Sequence, residues 1–400
     1  MSVFRPRSSV SQNMPRTIFH LDLDAFFCAV EELRNPALRG KAFVVGGNPQ
    51  ERGVVSSASY PARAKGARNA MPTAQAMRLC PGLIIVPPTR GIYGQYSAQV
   101  MALLREYTLT LQQLSIDEAF LDMTEFLEKS RVSPRELALE IQGRIKNEIS
   151  LPASIGVATS KLVAKMASGA AKPNGVKVIS PGEEAIFLAP MQVGELWGVG
   201  QVTAARLNAL GILTIGDLQR APAPALAGVF GRFATQVSER ARGIDTSAVE
   251  SAREVKSISE ERTFARDVAD RATLRNLLLQ LSDEVAARLR ANGLFAKTIQ
   301  LKLRWHDFNT ITRQSTLAEP TQLGEEIFGA VEPLWLGAWR TGERVRLLGV
   351  GASGLSEGHQ LGMFGADERE QKMALARVVD ELREQYGKDA IQRASLKKKK

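Results

Sequence analysis

"HLDLDAFFCAVEE", residues 20–32, begins as a strand and ends as a helix. Traced from Arg16, "RTIFHLDLD" alternates: Phe19, Leu21 and Leu23 share one face, while His20, Asp22 and Asp24 share the other. The pattern predicts a strand with one core face and one wet, acidic face. From "AFF" onward the spacing becomes helical and stops at Asn35-Pro36, and "KAFVVGG" reads as the next strand. A second acidic segment, "LQQLSIDEAFLDMT" at residues 111–124, predicts two short apolar strands with Asp117 and Glu118 at the bend between them. Neighbours in a straight strand face opposite ways, so a tight bend is the cheapest way to aim two adjacent carboxylates at one point.

Asp22, Asp117 and Glu118 thus come from two distant stretches that could converge on one sheet face. Carboxylates left unpaired beside apolar strands are costly. Hard oxygen donors of this kind suit Mg²⁺, which keeps waters and completes its shell with substrate phosphates. A pair of such ions stabilises both the attacking and the leaving oxygen of an in-line phosphoryl displacement.

Further along, "SPRELALEIQGRIKNEIS" is an amphipathic helix opened by Ser133 and Pro134, followed by the strand "PASIGVA" and the helix "SKLVAKMASGAA". From about residue 181 the pattern turns to short helices. "GVGQVTAARLNALGI", residues 198–212, has the form of a helix-hairpin-helix, in which a glycine turn at Gly198 and Gly200 lets backbone N–H groups approach a DNA phosphate. Residues 247–255 are polar and suit a linker. In "KTIQLKLRW" beyond it, Ile299, Leu301, Leu303 and Trp305 face a core, and Thr298, Gln300, Lys302 and Arg304 form a polar, basic face.

The 400 residues are 44% hydrophobic, enough for several small cores. The formal charge of +10 is local: residues 26–88 hold eight basic against three acidic residues, whereas 247–365 balance 15 against 15. A localised basic surface suits a polyanion such as nucleic acid. Cys28 and Cys80 are the only cysteines and the three histidines have no ligand spacing, so neither a disulfide framework nor a zinc site is expected. No run of about 18 apolar residues and no secretory leader occur, which excludes a spanning helix and predicts a cytoplasmic protein.

Four motifs in order, "HLDLDAFFCAVEE", "SASYPARAKGARNAMP", "LSIDEAFLDM" and "AKMASGAAKPNGVKVI", resemble those of Y-family DNA polymerases of the bacterial DNA polymerase IV branch. The resemblance covers roughly residues 16–390. It implies an α+β multidomain fold, a right-hand polymerase with a ferredoxin-like palm, small fingers, a helical helix-hairpin-helix thumb and an α+β little finger. The divisions expected are a disordered extension at 1–15, the palm at 16–25 and 89–180, the fingers at 26–88 and the thumb at 181–246. The linker at 247–255 then leads to the little finger at 256–358 and to a clamp-binding peptide, helix and basic tail at 359–400.

Residue by residue, the resemblance makes Asp22, Asp117 and Glu118 the catalytic metal ligands for two Mg²⁺, with the backbone carbonyl of Leu23 completing one shell. Asp24 stays structural. Phe26 and Phe27 are expected at the nucleotide, and Phe27 matches the steric gate that excludes a ribose 2′-OH. Tyr60 and Arg63 match a triphosphate pair, with Ser57 beside them, and Lys172 matches a lysine that neutralises the triphosphate. Gly198, Gly200, Lys302 and Arg304 are the expected DNA contacts. Gln360, Leu361, Met363 and Phe364 of "QLGMF" resemble a sliding-clamp docking peptide. Ala67, Asn69 and Ser160 depart from the commonest residues of their loops. The partners implied are primer-template DNA, dNTPs and the β sliding clamp, with no membrane and a monomeric chain. Two rivals are a catalytically inactive DNA-damage adaptor on the same fold and a palm-type nucleotide cyclase. Retention of the three acids argues against the first. The thumb, little finger and clamp peptide are superfluous to the second.

Overall fold

The strand Ile18–Leu23 is the centre of a five-stranded sheet, flanked on both sides by antiparallel neighbours, Glu118–Asp122 and Ala153–Ala158. Leu111–Gln113 extends one edge of that sheet and Val176–Val178 the other, the latter in parallel. The structure, a computed structural model, describes residues 15–251, 254–358, 366–387, 390, 391 and 393. The clamp-peptide residues Gln360, Leu361, Met363 and Phe364 lie outside the described residues, as do residues 1–14 of the expected extension.

All six residues of the central strand are buried, so its alternation separates two cores rather than a core from water. On one face Phe19, Leu21 and Leu23 pack with Val100, Met101 and Leu104 of the helix Ile92–Arg105 and with Leu137 and Ile141 of the helix Pro134–Arg144. That second helix starts where its sequence predicts. Ser133 accepts from the Glu136 N–H, and Glu136 returns a carboxylate to the Ser133 N–H. On the other face, Ile18, Phe120 and Ala158 pack with Leu162, Val163, Ala164 and Ala167 of the helix Lys161–Ala171. This helix lies almost on the sheet backbone: a Cβ at Gly156 would fall 2.0 Å from the Ala164 carbonyl oxygen and 2.2 Å from the Ser168 nitrogen.

A small three-stranded sheet, Val55–Ala58, Phe43–Gly46 and Ile84–Val86 in that order, follows the helix Phe26–Arg34. From residue 184 to residue 241 the chain is short helices. Gly198 has φ +99°, and Gly200 caps the helix Gln201–Ala209 with open space around it. Residues 245–250 are tied back onto this first unit: Lys161 Nζ donates to the Ala248 carbonyl at 2.7 Å, and Val249 is buried.

The chain divides into two compact units, the first holding described residues up to 48 and 54–251, the second 49–53 and the described residues from 254 on. The second unit has a four-stranded antiparallel sheet, ordered Thr310–Thr321, Leu294–Trp305, Val345–Glu357 and Ser257–Val268. The helices Arg271–Ala291 and Gly324–Ala338 close its core over Ile299, Leu301 and Leu303. Trp305 is only partly buried, its indole N–H donating to Glu343. The last helix, Ala366–Tyr386, is fastened to the same unit by ion pairs. Asp380 takes both a 2.6 Å and a 2.9 Å bond from Arg290, and Arg369 reaches Glu319 and Glu326. Among the described residues no helix is long and apolar enough to cross a membrane.

Candidate active site

At the end of the central strand the backbone of Ala25 turns left-handed, φ 45° and ψ 44°, and the helix Phe26–Arg34 begins at once. The strand register sets Asp22 directly opposite Glu118, and the Leu23 N–H is bonded to the Asp117 carbonyl at 3.0 Å. The bend expected from the sequence therefore does bring the three acids together. Asp22, Leu23, Asp117 and Glu118 line one polar cavity of about 250 Å³ with Phe26, Phe27, Ser57, Arg63, Asn69 and Lys172.

Lys172 Nζ stands 2.6 Å from Asp22 Oδ1, and Lys165 Nζ donates to Glu118 Oε2 at 2.8 Å. Burial pushes the Asp22 carboxyl well above the usual range, against the pull of Lys172. Burial acts the same way on Glu118, but Lys165, together with the contact to Asp22, outweighs it and holds that carboxyl low. Among the described residues no group of three or more His, Cys, Asp or Glu side chains stands arranged to hold a metal ion by itself. The donors present still fit magnesium. They are oxygens only and they open on a polar cavity, the arrangement for an ion that keeps waters and takes substrate phosphates as its remaining ligands.

Asp24 is 1% exposed and accepts from three sides: the Tyr60 hydroxyl at 3.1 Å, the Ser154 hydroxyl at 2.9 Å and the Asn174 N–H at 2.7 Å. It thus ties the loop after Lys172 to the strand that carries Asp22. Tyr60, one of the expected phosphate residues, spends its hydroxyl on Asp24 and does not line the cavity. Burial and the Asp24 charge push that phenol further above its usual pKa. Arg63 is aimed from behind, its Nε donating to the Ala58 carbonyl at 2.8 Å and its guanidinium 5.1 Å from the Tyr60 ring.

Phe27 stacks on Tyr93 with 3.9 Å between centroids and 7° between planes. The Tyr93 hydroxyl donates to buried Glu31 at 2.7 Å, and Arg34 and Thr89 hold the same carboxylate. Of the expected DNA contacts, Gly198 and Gly200 sit at the N-terminus of a short helix in the first unit. Lys302 and Arg304 lie in the second, paired with Glu261 and hydrogen-bonded to Thr310.

The sequence patterns passed over Lys165, Tyr93 and the partners of His20. A signal for Lys165 was available. It sits between Ala164 and Ser168 in a helix whose small residues mark the face laid on the sheet. Tyr93 carries no comparable sign, since an aromatic at helical spacing reads as core.

Comparison with known proteins covers nearly the whole chain. The impB/mucB/samB family model matches residues 21–169, the IMS family HHH motif residues 181–212, and the impB/mucB/samB C-terminal domain residues 255–363. A DNA polymerase IV of Dehalococcoides mccartyi is 41% identical over 379 residues, covering 94% of this chain and 96% of the relative. DNA polymerase IV 1 of Bacillus subtilis is 37% identical over 391 residues, covering 96% and 94%. Among solved structures, a Y-family DNA polymerase chimera of Dbh and Dpo4 matches with a TM-score of 0.76 at 28% identity, over 86% of this chain and 100% of that one. DinB from Sulfolobus solfataricus matches with a TM-score of 0.60 at 28% identity, over 84% and 98%.

Proposed function

This chain belongs to the Y-family DNA polymerases, in their DNA polymerase IV branch, and from that premise we propose how its residues carry out the reaction. It is a template-directed, low-fidelity DNA polymerase of translesion synthesis, a nucleotidyltransferase that extends a primer 3′ end.

The observation that carries the residue assignment is the cross-strand pair Asp22 and Glu118, which shares a cavity with Asp117, Phe27, Ser57, Arg63 and Lys172. Asp22, Asp117, Glu118 and the Leu23 carbonyl would hold two Mg²⁺, which when bound supply Lewis-acid stabilisation to the attacking and leaving oxygens. The protein's own groups position the substrates. Arg63, with Nε occupied by the Ala58 carbonyl, has its terminal nitrogens left for triphosphate oxygens, and Ser57 offers a hydroxyl beside them. Lys172 sits at Asp22 and would meet charge developing on the triphosphate. Phe27, backed by Tyr93, would close the space that a ribose 2′-OH needs. Tyr60 acts through Asp24, by fixing the loop that bears Lys172.

For DNA we assign the backbone at Gly198 and Gly200 and the polar sheet face with Lys302 and Arg304. We assign docking on the sliding clamp to Gln360, Leu361, Met363 and Phe364, in a monomeric, cytoplasmic enzyme.

Primer extension with purified protein tests the assignment. Asp117→Ala or Glu118→Ala should abolish extension while DNA binding persists, because phosphate contacts elsewhere still supply affinity. Either variant extending primers at near wild-type rate would remove the two-metal assignment.

A further inference from the structure

We propose that Lys165 is a positioning residue for the polymerase reaction, which aims the Glu118 carboxylate and is itself aimed by His20 and Ser168. The inference rests on Glu118 being a metal ligand. A second cavity, about 420 Å³, shares Asp22 and Glu118 with the first, and His20, Lys165, Ser168 and Trp197 complete this part of its wall. Lys165 belongs to this cavity, whereas Lys172 belongs to the polar cavity.

Counting hydrogens gives the relay its direction. Ser168 has one hydroxyl hydrogen, and it goes to the carbonyl of Lys165 at 2.8 Å. The Lys165 ammonium beside His20 Nε2 can only donate, so the ring hydrogen belongs on Nδ1, and the 2.6 Å contact with Ser168 Oγ is then the imidazole donating. A neutral ring protonated on Nδ1 presents a lone pair at Nε2, and Lys165 Nζ lies 3.4 Å from that atom. One ammonium group therefore bridges His20 Nε2 and Glu118 Oε2, and fixes the direction in which that carboxylate points.

The rest of the shell restrains the same ammonium. His20 is fully buried with Phe120 tilted against it at 4.7 Å between centroids, and the Trp197 ring lies 5.8 Å from Lys165 Nζ. The side chains of Lys165 and Glu118 are only 21% and 25% exposed, so this is not a free surface ion pair. A ligand carboxylate held through a hydrogen bond keeps the orientation the reaction needs, and loss of such a partner costs about 10–100-fold in activity.

Single-nucleotide insertion kinetics and Mn²⁺ binding by electron paramagnetic resonance, on the full chain, test this. Lys165→Met should lower kcat about 10–100-fold while the dNTP KM stays put. The same variant should bind Mn²⁺ more tightly in the absence of DNA and nucleotide, because a positive charge beside the ligand has gone. Lys165→Arg, which keeps charge and donors, should retain most of kcat. Tighter metal binding with slower chemistry is a signature that simple destabilisation does not produce. A Lys165→Met enzyme with wild-type kcat overturns the proposal. So does one whose slower turnover comes with weaker Mn²⁺ binding and a lower Tm, since that is a structural role. Glu118→Gln separates the two levels. If it is inactive while Lys165→Met is normal, only the positioning inference falls; if it is fully active, the ligand assignment falls and takes the inference with it.

Discussion

Ala25 holds a left-handed backbone that alanine adopts only at a cost of about 1–2 kcal/mol, and the surrounding structure enforces it. The turn buries the two following phenylalanines to different depths, although both line the polar cavity. Phe26, at 2% exposure, belongs to the core, while Phe27 is half-buried against Tyr93. Phe27→Ala should therefore raise ribonucleotide insertion relative to deoxyribonucleotide by orders of magnitude, read as the ratio of kcat/KM for the two. Tyr93→Ala should move the ratio the same way by less, because the gate ring survives and loses only its backing. Tyr93→Phe, which keeps the ring and gives up the bond to Glu31, should be nearly silent. An unchanged ratio in Phe27→Ala returns that ring to plain packing. The choice of Phe27 as the proposed gate came from the motif after the acidic strand. Its backing was not legible there, because Tyr93 lies 66 positions later and meets Phe27 only through the fold.

At the scale of elements, the contact between the helix Lys161–Ala171 and the strand Ala153–Ala158 decides where both active-site lysines start. That contact is made at Gly156, where a Cβ would collide with backbone atoms of the helix and not with a side chain that could swing away. Gly156→Ala must lift the helix or bend the strand, so it should destabilise the protein by about 1–3 kcal/mol or more and lower Tm by several degrees. Polymerase activity should fall as well, since Lys165 and Lys172 ride on that helix and its end. Gly143→Ala is the matched control, because it sits in a helix with open space around its Cβ position and should be neutral or stabilising by up to about 1 kcal/mol. Equal Tm values for the two variants contradict the close-packing account. The helix itself was readable from "SKLVAKMASGAA", with Ser160 accepting from the Val163 N–H at its start. How close it comes was not readable, because a glycine in a strand pattern is equally at home in a bulge.

For the whole molecule, the decisive test concerns the last part of the chain. Replacing Leu361, Met363 and Phe364 with Ala should abolish clamp binding and clamp-stimulated synthesis, and leave Tm and unassisted primer extension unchanged. If those residues pack into a core, the same change creates cavities and lowers Tm whether or not the clamp is present. The helix Ala366–Tyr386 that follows is fastened to the second unit by Arg290 and Arg369. The sequence by itself determined the strands, the helix starts and the identities of the acids. Period-two alternation, caps and turn chemistry are local, and each is complete within about ten residues. Only the tertiary structure decided that Asp24 would be consumed by Tyr60, Ser154 and Asn174, that Lys172 would stand on Asp22, and that Lys165 would stand on Glu118. Those partners lie 36 to 150 positions apart along the chain. A charge takes the partner that is nearest in space and least hydrated, and no pattern along the chain encodes that distance.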